Sequence, residues 1–161
     1  MKKAVFLDRD GVIIRERGDY NYKQAHVEIV EGAVEALRKL KEKGFIFIVV
    51  TNQGGIAKGI YRKKAVEEIH QCIKEFFEVY QIHFKAFYFC PHHDAIENCL
   101  CRKPNSLMIE KALAKYRIDA SKSFLIGDSE RDIIAGERAG LRGVKVNAND
   151  NLMDYLHFFE N

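Results

Sequence analysis

At 161 residues the chain can bury one substantial core but hardly two, and 47% hydrophobic with 30% charged residues is the composition of an ordinary globular protein. A net charge of +3, spread along the chain rather than gathered into a run, leaves no footprint for nucleic acid. No apolar run reaches the roughly 18 residues of a membrane span, and the acids in "MKKAVFLDRDG" interrupt any signal-like start, so the chain is expected to act as one domain (1–161) and as a monomer in the cytoplasm, without nucleic-acid or membrane partners.

The first apolar run, "AVFLD" from Ala4, ends on Asp8; Asp10 follows before Gly11 releases the chain. "RERGDYNYKQAHVE" from Arg15 is expected to form a small flap. Val34, Leu37 and Leu40 at helical spacing predict a helix that Gly44 stops. "FIFIVVTN" from Phe45 predicts a second strand delivering Thr51 and Asn52, and a second helix follows from about Arg62 to Tyr80 with Ile69, Ile73 and Phe76/Phe77 inward. "KAFYFC" from Lys85 predicts a strand ending on Cys90, and a third helix begins after Asn105. "SFLIGD" from Ser123 predicts a strand ending on Asp128, a fourth helix runs from Glu130 to Ala139 with Gly140 as its stop, and "RGVKV" from Arg142 predicts a last strand.

The apolar runs are continuous rather than alternating, which predicts strands buried on both faces. Strand alternating with helix predicts parallel strands and a three-layer, Rossmann-like α/β fold. The gaps between the strands are filled by these helices, leaving no room for a separate cap domain.

In such folds ligands bind beyond the carboxyl ends of the strands. That edge would receive Asp8, Asp10 and Asp128, with Thr51 and Asn52. A single strand-end Asp is as well explained by a helix cap. Three on one edge repel one another unless a cation lies among them, and oxygen ligands of this kind suit Mg²⁺. Phosphoryl transfer needs a nucleophile, an acid, donors and a cation for the equatorial oxygens. Asp8, Asp10, Thr51 with Asn52, and Lys103 fill those places in turn. No Gly-x-x-x-x-Gly-Lys loop is present to cradle a nucleoside triphosphate.

"CPHHDAIENCLCRKP", residues 90–104, holds three of the chain's four cysteines. Cys90, His92, Cys99 and Cys101 are expected to form a closed, tetrahedral, structural Zn²⁺ site that staples the loop and fixes Arg102 and Lys103. His93 is the competing imidazole; alternation from Cys90 favours His92. Arg102 is a candidate contact for a second phosphate, or a solvated surface residue.

"FLDRDGV" (6–12), "VVTNQ" (49–53), "CRKP" (101–104) and "IGDSERD" (126–132) resemble, in order, the four motifs of the haloacid dehalogenase-like phosphatases. "CPHH", "CLCRKP" and "TNQGGIAKG" resemble the zinc-containing branch, which holds heptose 1,7-bisphosphate 7-phosphatases and histidinol-phosphate phosphatases. The resemblance implies that Asp8 is phosphorylated and that Asp10 is the acid and base, its carbonyl assisting with Mg²⁺. It further implies that Asp128 is a metal ligand, that Thr51, Asn52, Gln53 and Lys103 bind phosphate, and that Asp132 stands just behind the ligands. Val12 departs from the Thr of many relatives. A phosphorylated sugar is the expected substrate, the heptose bisphosphate first and histidinol phosphate second. A DNA 3′-phosphatase, or a zinc-stapled binding module with structural carboxylates, is less favoured by the balanced charge. An open site would admit a protruding phosphomonoester, with Asp19 or Tyr20 in contact.

Overall fold

Five parallel strands form one sheet in the order β3-β2-β1-β4-β5, with β1 at Lys3–Leu7, β2 at Phe45–Asn52, β3 at Phe84–Cys90, β4 at Phe124–Gly127 and β5 at Arg142–Lys145. The structure is a computed structural model in which residues 1–160 are described. Four helices flank the sheet: α1 at Ala33–Glu42, α2 at Lys63–Glu78, α3 at Leu107–Tyr116 and α4 at Glu130–Arg138. On one face, Val5, Leu7, Phe47, Val49 and Ile126 pack against Leu37 and Leu40 of α1 and Ile69, Ile73 and Phe77 of α2. On the other, Phe6, Ile48, Val50 and Leu125 meet Met108, Ile109 and Ala112 of α3 and Ala135 of α4. Alternation along each strand therefore feeds two cores, and three layers result.

Gly44 and Gly140 have φ of 86° and 85°, beyond helices that end at Glu42 and Arg138. Burial on both faces holds for the central β1, β2 and β4 but not for the borders: β3 is half-buried over most of its length and β5 keeps only Val144 buried. Both are edge strands with one neighbour each. Phe76 also departs from expectation. It is 40% exposed while Phe77 is fully buried, because adjacent helical positions diverge by about 100° and only one can face the sheet. Val12 sits in the core with Ile13 and Ile14, so the chain after Gly11 dives inward rather than looping through solvent.

Strand order places the site. From β1 the chain builds outward through β2 to β3, then returns to add β4 on the other side of β1. The ends of β1 and β4 thus flank a topological switch point, where such sheets open a crevice. Asp8 follows β1, Asp128 follows β4, and the Asp8 N–H donates to the Ile126 carbonyl at 3.0 Å.

Candidate active site

Asp8, Asp128 and Asp132 each bring a carboxylate oxygen to within 4.8 Å of the others at this crevice. Asp132 lies one turn into α4, where its carboxylate accepts from the Ser129 N–H at 3.1 Å in a capping box. Gly11 makes the approach possible. Its φ is +86°, and a Cβ there would stand 2.4 Å from Asp128 Oδ2, so no other residue fits without displacing that carboxylate.

Lys103 is 2% exposed and spends its three N–H donors on Asp8 Oδ1 at 2.9 Å, the Val50 carbonyl at 2.8 Å and Asp132 Oδ1 at 2.6 Å. Burial pushes the Asp8 carboxyl up to about 8 against the pull of Lys103, and Asp132, Asp128 and Asp10 add to the rise. Burial also raises Asp128, with Asp132 reinforcing it. Asp132 is held below its usual range although burial opposes it, because the Lys103 ammonium is in contact. Asp8 and Asp132 thus share one ammonium with Asp128 beside them, and the crowding of three acids is what a divalent cation would relieve. The all-oxygen donor set suits Mg²⁺.

Asp10 does not join that group by its side chain. Its Oδ1 accepts from Asn21 Nδ2 at 2.7 Å and Arg9 Nη2 at 3.2 Å, and its Oδ2 from Arg9 Nε at 3.1 Å and Gln53 Nε2 at 3.2 Å. The strand ends at Leu7, so the extended geometry that would have aligned the two acids is already lost. Gln53 and Asn52 also have partners within the protein. Gln53, expected at the phosphate, is 3% exposed and stands behind Asp10. Asn52 uses both ends of its carboxamide on the Lys103 main chain, accepting from its N–H at 3.0 Å and donating to its carbonyl at 3.1 Å. It places the lysine, and Thr51, Asn52 and Gln53 all line the cleft.

The cleft has a volume of about 510 Å³. The predicted flap supplies one wall with Glu16, Asp19 and Tyr20, and the opposite wall carries His93, Arg102 and Arg131. Tyr22 stacks on Tyr61 with centroids 5.4 Å apart and Tyr20 meets the same ring edge-on at 5.8 Å, pinning the flap to the segment after β2. Arg9, His70 and Tyr61, to which the sequence assigns no role, complete the surroundings of Asp10 and Gln53. Only the buried charge of "DRD" signalled that a partner network was needed.

Cys90, His92, Cys99 and Cys101 converge as expected, each offering an atom within 4.8 Å of the rest. Around a tetrahedral zinc with Zn–S of ~2.3 Å, ligand atoms stand about 3.8 Å apart. Here Cys90 and Cys99 Sγ are 3.6 Å apart, Cys99 and Cys101 3.8 Å, and His92 Nδ1 lies 3.4 and 3.3 Å from Cys90 and Cys101. Cys90 and Cys101 at 2.9 Å are the one edge that would have to open. Burial pushes the Cys90 and Cys101 thiols up, whereas the Arg102 and Cys101 N–H groups draw Cys99 down although burial opposes them, and a cation would suit the three crowded sulfurs. His93 is elsewhere: its Nδ1 accepts from the Ala95 N–H at 3.1 Å. His92 Nε2, on the far side of its ring, is 4.0 Å from Glu97, a partner the spacing did not reveal.

Among the described residues no helix is long and apolar enough to cross a membrane. A family model described as "Haloacid dehalogenase-like hydrolase" matches residues 5–117, and a second of the same hydrolase group matches 100–153. The chain is 39% identical to D-glycero-alpha-D-manno-heptose-1,7-bisphosphate 7-phosphatase of Photorhabdus laumondii, over 86% of this chain and 79% of that one. It is 35% identical to the histidine biosynthesis bifunctional protein HisB of Campylobacter jejuni, covering 91% of this chain but 42% of that one. Among solved structures, D,D-heptose 1,7-bisphosphate phosphatase from B. bronchiseptica, complexed with magnesium and phosphate, superposes with a TM-score of 0.85 at 26% identity, over 97% of this chain and 86% of that one.

Proposed function

The chain belongs to the haloacid dehalogenase-like hydrolases and is a phosphatase of that family, and on that premise we propose that it removes the 7-phosphate of D-glycero-D-manno-heptose 1,7-bisphosphate through an aspartyl phosphate on Asp8. The observation that carries the chemistry is the meeting of Asp8, Asp128 and Asp132 at the switch point, with the Lys103 ammonium on Asp8 and Asp132.

Asp8 supplies the attacking oxygen. Its bond to phosphorus forms as the bond to the ester oxygen breaks, and the departing electron pair takes a proton from Asp10. Water then attacks phosphorus, Asp10 recovers a proton from it, and the Asp8–phosphorus bond breaks to release phosphate and the free carboxylate. Lys103 offsets the charge on the transferring oxygens, and Thr51 is placed to donate to them. Mg²⁺, held by Asp8, Asp128 and the Asp10 carbonyl with Asp132 behind them, would neutralise the charge that builds on phosphorus-bound oxygens. Zn²⁺ held by Cys90, His92, Cys99 and Cys101 would staple the loop that carries Arg102 and Lys103.

The bisphosphate is favoured by the relatives' names and by the wall of His93, Arg102 and Arg131, which suits a second phosphate. A second reading, histidinol phosphate, is supported by Glu16 and Asp19 on the facing wall, where an ammonium would be welcome. Turnover of the purified, Mg²⁺-supplied protein on both compounds decides. If kcat/KM on the heptose bisphosphate is no greater than on a generic phosphate ester, the first reading falls.

A further inference from the structure

Arg9 is the largest fully buried side chain among the described residues, at 1% exposure. A lone buried guanidinium is costly, and an apolar residue would fill the space with less penalty. Its surroundings compensate most of that cost. Nε and Nη2 grip both oxygens of Asp10 at 3.1 and 3.2 Å, Nη2 also donates to the Asn21 carbonyl at 3.1 Å and Gln53 Oε1 at 3.2 Å, and Nη1 faces His70 Nε2 at 3.5 Å. Burial, with Arg9 adding to it, pushes His70 down to about 3, so its ring is neutral and free to accept. His70 is in turn packed against Phe87 at 4.6 Å between ring centroids.

Gln53 is oriented by the same network. Arg9 and the Tyr61 hydroxyl, at 2.7 Å, both donate to Oε1, which leaves Nε2 to donate to Asp10 Oδ2 at 3.2 Å and Thr51 Oγ1 at 2.8 Å. A bidentate guanidinium fixes the plane of a carboxylate in a way that a point charge cannot. Asp10 keeps about a quarter of its side chain exposed to the cleft, so the fixed carboxylate is also the reachable one.

We infer that Arg9, seconded by the Gln53–Tyr61 pair, is a positioning residue that holds the Asp10 carboxyl group in the plane from which, carrying its proton, it donates to the leaving oxygen. This rests on the role of Asp10 given under the proposed function. At 1% exposure Arg9 offers the cleft almost no surface and acts through Asp10, and displacement of a reacting group by about 1 Å costs on the order of 10²-fold.

The test uses leaving groups of different need. Heptose bisphosphate loses a primary alkoxide that requires a proton, whereas 2,4-dinitrophenyl phosphate loses a phenolate that does not. Because kcat/KM reports steps only through departure of the leaving group, later hydrolysis of the acyl phosphate does not enter. Asp10→Asn should lose roughly 10²- to 10⁴-fold on the alkyl ester and far less on the aryl one. Arg9→Lys, which keeps the charge and loses the fork, should show the same signature, at least about ten-fold greater loss on the alkyl ester. Tyr61→Phe, which removes one hydroxyl and serves if Arg9→Lys does not fold, should shift in the same direction by less. Equal losses on both esters in the folded Arg9 or Tyr61 variant overturn the assignment. If Asp10→Asn itself shows no leaving-group sensitivity, the acid role of Asp10 is what fails, and the inference with it.

Discussion

Lys103 and Asp132 form an ion pair of 2.6 Å between two side chains that are 3% and 2% exposed, and the same ammonium reaches Asp8 at 2.9 Å. Removing one partner of a buried pair leaves an uncompensated charge and costs about 3–5 kcal/mol. Lys103→Met should therefore lose about that much stability in urea denaturation without Mg²⁺, besides losing turnover. Added Mg²⁺ should restore part of the stability, because binding to the native state alone stabilises it by mass action. A variant as stable as the parent would show that the pair is not buried as described.

Asp8 makes stability depend on pH when Mg²⁺ is absent. Its carboxyl, 3.8 in the ordinary range, is pushed up to about 8 by burial, so the folded protein holds this proton more tightly than the unfolded chain does. That contribution is fully present below pH 3.8 and is lost as pH rises to about 8. Protein loaded with zinc but dialysed free of Mg²⁺ should lose thermal stability across this window, and Asp8→Asn should flatten the loss while abolishing turnover. Melting temperatures against pH, with and without Mg²⁺, check it; parallel curves for the two proteins refute it.

Apolar runs and glycine stops were legible because their causes are local. The glycines at 44 and 140 and the strand-end acids Asp8 and Asp128 follow from period, turn chemistry and the geometry of parallel sheets. Which strands lie at the edge was not legible, since "KAFYFC" reads like a central strand and only topology makes it a border. The hydrogen-bond partners of Gln53 and Asn52 were not legible for another reason. Both lie next to a phosphate-binding edge, but a buried guanidinium and the Lys103 main chain, 44 and 51 residues away in sequence, claim their amides. Long-range hydrogen-bond demand leaves no periodic trace in a sequence.

His92 and His93 are neighbours with opposite surroundings, and this separates their substitutions. His92→Ala should release zinc, measured as metal per chain, and expose residues 90–103 to proteolysis and hydrogen exchange, since a structural zinc site holds its loop by ligation. His93→Ala should retain the metal, because its Nδ1 is occupied by the Ala95 N–H and the converging group is completed by His92 instead. Metal lost on substituting His93 and kept on substituting His92 would reverse the ligand set.

The two walls of the cleft make opposite demands on a substrate, so substitutions on each should discriminate between compounds. Arg131 is exposed on α4 and faces the cleft with Arg102, whose Nη1 also donates to the His92 carbonyl at 3.0 Å. Arg102→Ala thus risks loosening the zinc loop as well as removing a phosphate contact, and Arg131→Ala is the cleaner probe. If the wall receives a second phosphate, Arg131→Ala should raise KM for the bisphosphate by about ten-fold, the worth of one charge-assisted hydrogen bond at a partly exposed site. It should leave KM for a monophosphate of the same sugar nearly unchanged. Glu16→Gln and Asp19→Asn should do the converse, weakening an aminoalkyl phosphate and sparing or improving the bisphosphate, because removing a carboxylate from the facing wall reduces repulsion of the second anion. Steady-state kinetics on the three compounds give the answer in KM; equal changes for mono- and bisphosphate would mean that Arg131 contributes a diffuse field rather than a contact.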